Sequence, residues 1–184
     1  MPRHMRPLAH AFIAISAALS LCFAVAPAHA SDGSRPLAGT PLVSSVANSE
    51  TRAEAAANPE AVQAAATLCG TGYVLENASA LPTSTDRKGT LFTYGKEPYS
   101  GGINDQPTCA IFDNNTSTSK WMKLKLCSNY TAVACTTDEG NFSQYAGPVF
   151  QSKGGCGNVT ALMKTSSAST TYLINAVRSA TTCN

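Results

Sequence analysis

Six of the seven cysteines of this 184-residue chain fall between Cys69 and Cys183, and that spacing constrains the fold more than any other feature. Cys69, Cys109, Cys127, Cys135, Cys156 and Cys183 are an even set, which in an oxidising compartment reads as three disulfides. Zinc is the alternative use of such thiols, but the region has no Cys-x-x-Cys pair and no histidine, so no metal site and no cofactor is expected. Spacing alone does not choose among the many possible pairings. Cys127 and Cys135 are close enough to close a local loop, whereas joining Cys69 to Cys183 would bracket the region and remove the most chain entropy.

The N-terminus supplies the compartment. Arg3 and Arg6 precede an apolar run over residues 11–26, Pro27 ends it, and Ala28-His29-Ala30 is a small-x-small cleavage site. These are the three parts of a secretory signal over residues 1–30, with the mature chain starting at Ser31. The apolar run is too short for a membrane anchor, and no other segment could span a bilayer. Lipidation at Cys22 is disfavoured by the bulky Leu21 before it. Cleavage removes His4, His10 and His29, so the mature chain has no imidazole and loses the commonest catalytic base. Arg3 and Arg6 leave too, and 11 basic residues then balance 11 acidic ones. A neutral chain lacks the electrostatic footprint of a nucleic-acid binder.

Residues 31–48 are rich in Ser, Gly, Pro and Ala without periodicity and read as a tether; residues 50–66 are dominated by alanine. Asn58-Pro59-Glu60 predicts a helix start, with Asn58 as cap and Pro59 in the first turn, for a short helix over 59–67 packing at a domain edge. Residues 31–66 are therefore expected to be a flexible tail carrying one short helix, and residues 67–184 the folded domain.

That domain alternates like strands. Trp121-Met122-Lys123-Leu124-Lys125-Leu126 has the clearest period of two, which turns Met122, Leu124 and Leu126 inward. Further strands are expected over 90–94, 109–112, 142–146, 149–151, 159–163 and 172–177. Turn residues separate them at Ser100-Gly101-Gly102, Asp113-Asn114-Asn115, Asp138-Glu139-Gly140-Asn141 and Gly154-Gly155. Seven or eight short strands predict an all-β sandwich or small barrel, stapled by disulfides, with a short N-terminal helix.

Four landmarks occur in order: Cys69-Gly70-Thr71-Gly72-Tyr73, Gly89-Thr90-Leu91-Phe92-Thr93-Tyr94, Cys109-Ala110-Ile111, and Gly140-Asn141-Phe142-Ser143-Gln144-Tyr145-Ala146-Gly147-Pro148-Val149. Together they resemble the spore-associated protein A family, small secreted bacterial proteins. The likeness covers residue 68 to the C-terminus. It implies an extracellular or cell-surface protein, and by position it implies the pairs Cys69–Cys183 and Cys109–Cys156, with Cys127–Cys135 as an additional pair. The chain departs from the family after Cys156, where Gly157-Asn158-Val159 stands in place of an Asp-Trp-Gly-Gly stretch.

No catalytic residue is assigned. Ser117-Thr118-Ser119-Lys120 spells Ser-x-x-Lys, but in a polar turn before a strand rather than at the start of a buried helix. The carboxylates Glu76, Asp86, Glu97, Asp105, Asp113, Asp138 and Glu139 show no acid–base spacing, and Asp138 and Glu139 would face opposite ways on a strand. Trp121, Lys123 and Lys125 share the outer face of their strand and form the candidate ligand-binding patch, an aromatic and basic surface for a glycan or wall polymer. Tyr94, Tyr99, Tyr130 and Tyr145 could extend it, although Tyr94 shares a face with Phe92 and reads as core. The expected function is that of a secreted, non-enzymatic cell-surface or envelope protein. The alternatives are a small secreted hydrolase or toxin, and an inhibitor presenting the loop over residues 100–107.

Overall fold

The computed structural model describes residues 42–183. The expected signal segment, residues 31–41 of the expected tether and Asn184 lie outside the described residues. Two helices, α1 (Ser49–Ala57) and α2 (Pro59–Cys69), precede eight strands. The strands are β1 (Tyr73–Pro82), β2 (Arg87–Lys96), β3 (Thr108–Asn114), β4 (Lys120–Cys127), β5 (Thr136–Phe142), β6 (Tyr145–Gln151), β7 (Asn158–Lys164) and β8 (Tyr172–Ser179). They form two antiparallel four-stranded sheets, β1-β2-β3-β6 and β5-β4-β7-β8. The expected disulfide-stapled β-fold is thus a sandwich. The sheets meet at their edges through side chains rather than ladders. At one edge Gly147 N donates to Asp138 Oδ2 (2.7 Å) and Thr136 Oγ1 to the Phe150 carbonyl (2.8 Å). At the other, Asn77 Nδ2 reaches the Ser179 and Ala180 carbonyls.

Two apolar layers hold the molecule together. Between the sheets, Met122, Leu124 and Leu126 interleave with Leu81, Leu91, Phe112, Val159, Met163 and Ile174, as the alternation of β4 requires. Each such side chain contributes about 1.5–3 kcal/mol when fully buried. Between the helices and the first sheet, Val62, Ala65, Leu75, Phe92, Tyr94 and Ile111 form a second layer. The order of layers is helices, first sheet, second sheet.

Residues 42–66 correct the expectation of a flexible tail. Ser44 N donates to the Leu75 carbonyl and Leu75 N to the Leu42 carbonyl, both at 2.9 Å, as a parallel bridge along the free edge of β1. Helix α1, which the sequence reading did not anticipate, starts at Asn48, whose side chain accepts Thr51 N at 2.8 Å. Thr51 Oγ1 in turn accepts the backbone N–H of Ala78 on β1. Glu54 is buried in a two-pronged pair with Arg87 of β2, at 2.7 and 2.6 Å. The segment therefore covers a sheet edge that would otherwise expose unpaired backbone groups. Backbone partners leave no compositional signature, which is why the sequence read as a tether. Asn58 caps α2 by position, with Pro59 in the first turn as expected, but it makes no side-chain capping bond, and its amide donates to Glu54 Oε1 instead.

The cystine pairing differs from the one carried over from the family likeness. Cys69 joins Cys109, Cys127 joins Cys135, and Cys156 joins Cys183. Cys69–Cys183 and Cys109–Cys156 do not form. Cys69 ends α2 directly over β3, 5.8 Å between Cα atoms from Cys109. Cys183 follows β8 and returns to the turn holding Cys156, 5.4 Å away. A disulfide needs Cα atoms within about 7 Å, so the layer order selects these partners. The turn is tight: a Cβ on Gly155 would meet the Ile103 carbonyl oxygen at 1.7 Å, and one on Gly157 the Cys127 carbonyl oxygen at 1.9 Å. Only glycine permits that backbone approach.

Candidate functional site

Both helices pack against the first sheet, so the outer face of the second sheet has no helix layer over it among the described residues. Register places its outward residues in ranks across the strands. The first rank is Asn141 on β5, Trp121 on β4, Lys164 on β7 and Tyr172 on β8. The second is Glu139, Lys123, Leu162 and Asn175; the third is Thr137, Lys125, Thr160 and Val177. Tyr172 and Val177 are 44% and 56% exposed, while Trp121 lies half-buried among its neighbours.

The expected patch of Trp121, Lys123 and Lys125 is thus one column of a wider face. Lys164 Nζ sits 4.3 Å from the centroid of the Trp121 ring and 5.7 Å from that of Tyr172. It also donates to the Ser167 carbonyl at 3.0 Å. A cation held between two aromatic faces contributes about 0.5–1 kcal/mol at an exposed site. More usefully, it fixes both rings and the ammonium relative to one another. Lys123 is committed to Glu139 at 2.9 Å. Lys125 and Lys164 have no ion-pair partner among the described residues. The face presents two rings on either side of one ammonium, flanked by further ammonium groups, an amide and hydroxyls. It can stack planar or ring-shaped groups and donate charged hydrogen bonds to anions. It contains no nucleophile–base pair.

Lys164, Tyr172, Leu162, Thr160, Asn175 and Val177 were not anticipated as part of the patch. Their alternation with buried Val159, Ala161, Met163 and Ile174 was legible, but the order in which β4, β7 and β8 pair was not. The tyrosines offered as extensions lie elsewhere. Tyr94 is fully buried and donates to the Val62 carbonyl at 2.8 Å. Tyr99 follows the end of β2, Tyr130 sits in the Cys127–Cys135 loop beneath Lys153, and Tyr145 packs on the helix side of the first sheet.

The other chemistry-bearing residues are dispersed. Ser117 is an exposed turn residue, and Lys120, at the start of β4, donates to Thr118 Oγ1 rather than to Ser117. Asp138 and Glu139 lie in β5 rather than in the expected turn. They face opposite ways, Asp138 to Gly147 N and Glu139 to Lys123. Asp105 pairs with Lys153 at 3.1 Å. Among the described residues no three His, Cys, Asp or Glu side chains converge, and no helix is long and apolar enough to cross a membrane. Neither models of known families, nor curated proteins, nor solved structures give a match to this chain.

Proposed function

We propose that the protein is a secreted, non-enzymatic surface protein that binds an anionic cell-wall polymer through the outer face of its second sheet. The observation that carries this reading is the rank Trp121–Lys164–Tyr172, two rings about one ammonium, beside Lys125 and on a face without a helix layer. Strands lie about 4.8 Å apart, so the two rings stand roughly 10 Å apart on a rigid floor. Rings at that separation suit alternate sugar rings of an extended chain, and ammonium groups suit its phosphate or carboxylate groups. Three disulfides and the signal-like N-terminus support an extracellular setting. The likeness to spore-associated protein A points the same way, toward a cell or spore envelope.

The test is a depletion assay with the full oxidised chain, because residues 42–66 belong to the fold. The chain is incubated with insoluble wall preparations, with and without their anionic polymers, and with cellulose and chitin. Saturable pelleting on anion-bearing wall, weakened about 5–10-fold by Trp121→Ala and reduced by added salt, is expected. Lys125→Glu, on an exposed strand face, should weaken binding without loss of folding. Pelleting that neither substitution changes would remove this face from the reading, and no pelleting on any wall material would overturn it.

A further inference from the structure

One end of the space between the sheets gathers polar side chains rather than apolar ones. Glu76 lies there, only 1% exposed, at the point where the β1–β2 register slips and β1 carries an extra residue. Bulges of this kind re-aim a side chain, and here the re-aimed group is a carboxylate. Its neighbours are Ser44, Gln106, the backbone of Thr182 and the Glu97 carboxylate. Ser44 Oγ donates to Glu97 Oε1 at 3.1 Å. Thr93 stands across from the bulge in register with Asn77, and the Gln106 amide lies over Gly95 two residues on.

Four buried oxygens in this neighbourhood have no hydrogen-bond partner: Glu76 Oε2, Gln106 Oε1, Thr93 Oγ1 and Thr182 Oγ1. Glu76, Thr93 and Gln106 are each at least nine-tenths buried. Neither Glu76 nor Glu97 has a basic partner among the described residues. An unpartnered buried polar oxygen is costly, and several together are rarely left so.

We propose that Glu76, Glu97 and the Gln106 side-chain oxygen, with the Thr93 and Thr182 hydroxyls beside them, form a binding site for calcium. All five are oxygen donors, the ligand type of a hard divalent cation, and their mix of carboxylates, amide and hydroxyls suits the irregular coordination of calcium better than the octahedron of magnesium. With only two carboxylates the affinity falls in the range of extracellular modules, about 0.1–1 mM. The site would clamp β1, β2 and the residue after it, the loop before β3 and the C-terminal segment to one ion.

Thermal unfolding of the full oxidised chain in chelator and then in CaCl2 tests this. The midpoint should rise by about 3–6 °C by roughly 10 mM calcium and should climb with the logarithm of calcium concentration. Magnesium should give less than half that shift, and NaCl of equal ionic strength almost none. Glu76→Gln should unfold no earlier than the parent in chelator, since it removes a buried charge, and should lose the calcium response. Glu97→Gln, at a half-buried position, is the second variant and should weaken the response about tenfold in calcium concentration. A midpoint that calcium moves no more than NaCl, or an unchanged calcium response in both variants, overturns the proposal.

Discussion

Asp113, on β3, shows how a single residue sets a pH dependence. It borders a depression of about 360 Å³ between α2 and the β3–β6 edge, lined by Ala61, Ala64, Ala65, Leu68 and Tyr145. Burial pushes its carboxyl up from 3.8 to about 6. The folded state then binds this proton more tightly than the unfolded chain does. Its contribution to stability is fully present below about pH 4 and is lost as pH rises through about 6. The loss is at most about 3 kcal/mol. Asp113→Asn should therefore be more stable than the parent at pH 7 and indistinguishable from it near pH 4, as read from urea midpoints. A variant less stable than the parent at pH 7 would overturn this reading, and an equal deficit at both pH values would show that Asp113 acts through packing or hydrogen bonding rather than through its charge.

At the scale of elements, α2 is joined to the first sheet by one buried polar contact within an apolar layer. The Tyr94 hydroxyl on β2 donates to the Val62 carbonyl inside α2. Tyr94→Phe keeps the ring and removes that donor, and should cost about 1–2 kcal/mol. Hydrogen exchange should show the loss concentrated in α2 rather than spread over β4–β8; a uniform loss would mean that the helix does not open separately from the sandwich. The same elements show what a sequence can display. β4 is fully legible because Met122, Leu124 and Leu126 alternate with lysines and each face has one solvent. β1 is not, because its extra residue at Glu76 breaks the period and two neighbouring side chains turn toward the same end of the core. β5 is not, because Thr136–Phe142 is a poor strand former held at a sheet edge by its ladder to β4. Helix α1 was hidden for a related reason: its alanines permit a helix, but Thr51 and Glu54 need β1 and β2 to complete it.

For the whole molecule, the disulfides rank by the chain they enclose. Cys69–Cys109 spans 40 residues, Cys156–Cys183 spans 27 and Cys127–Cys135 spans 8. The loop-entropy relation gives about 4, 3.5 and 2.5 kcal/mol for them. Replacing both members of a pair by serine should lower the denaturant midpoint in that order, with Cys69–Cys109 the most damaging because it also ties the helix layer to β3. Peptide mapping without reduction should recover Cys69 with Cys109 and Cys156 with Cys183. Recovery of Cys69 with Cys183 would contradict the layer order described above.

What the chain alone determined are properties that depend on local pattern: a disulfide-stapled β-fold, the inward row of β4, the short-range Cys127–Cys135 loop and the outward placement of Trp121, Lys123 and Lys125. Residue type and a period of two suffice for these, since a strand's faces alternate whatever its neighbours are. Only the tertiary structure decided which strands lie side by side. That order brings Lys164 and Tyr172 to Trp121, Cys109 to Cys69, and Glu97 and Gln106 to Glu76. These partners are separated by tens of residues, and the free energy that unites them comes from burying two apolar layers, which no single segment can do alone.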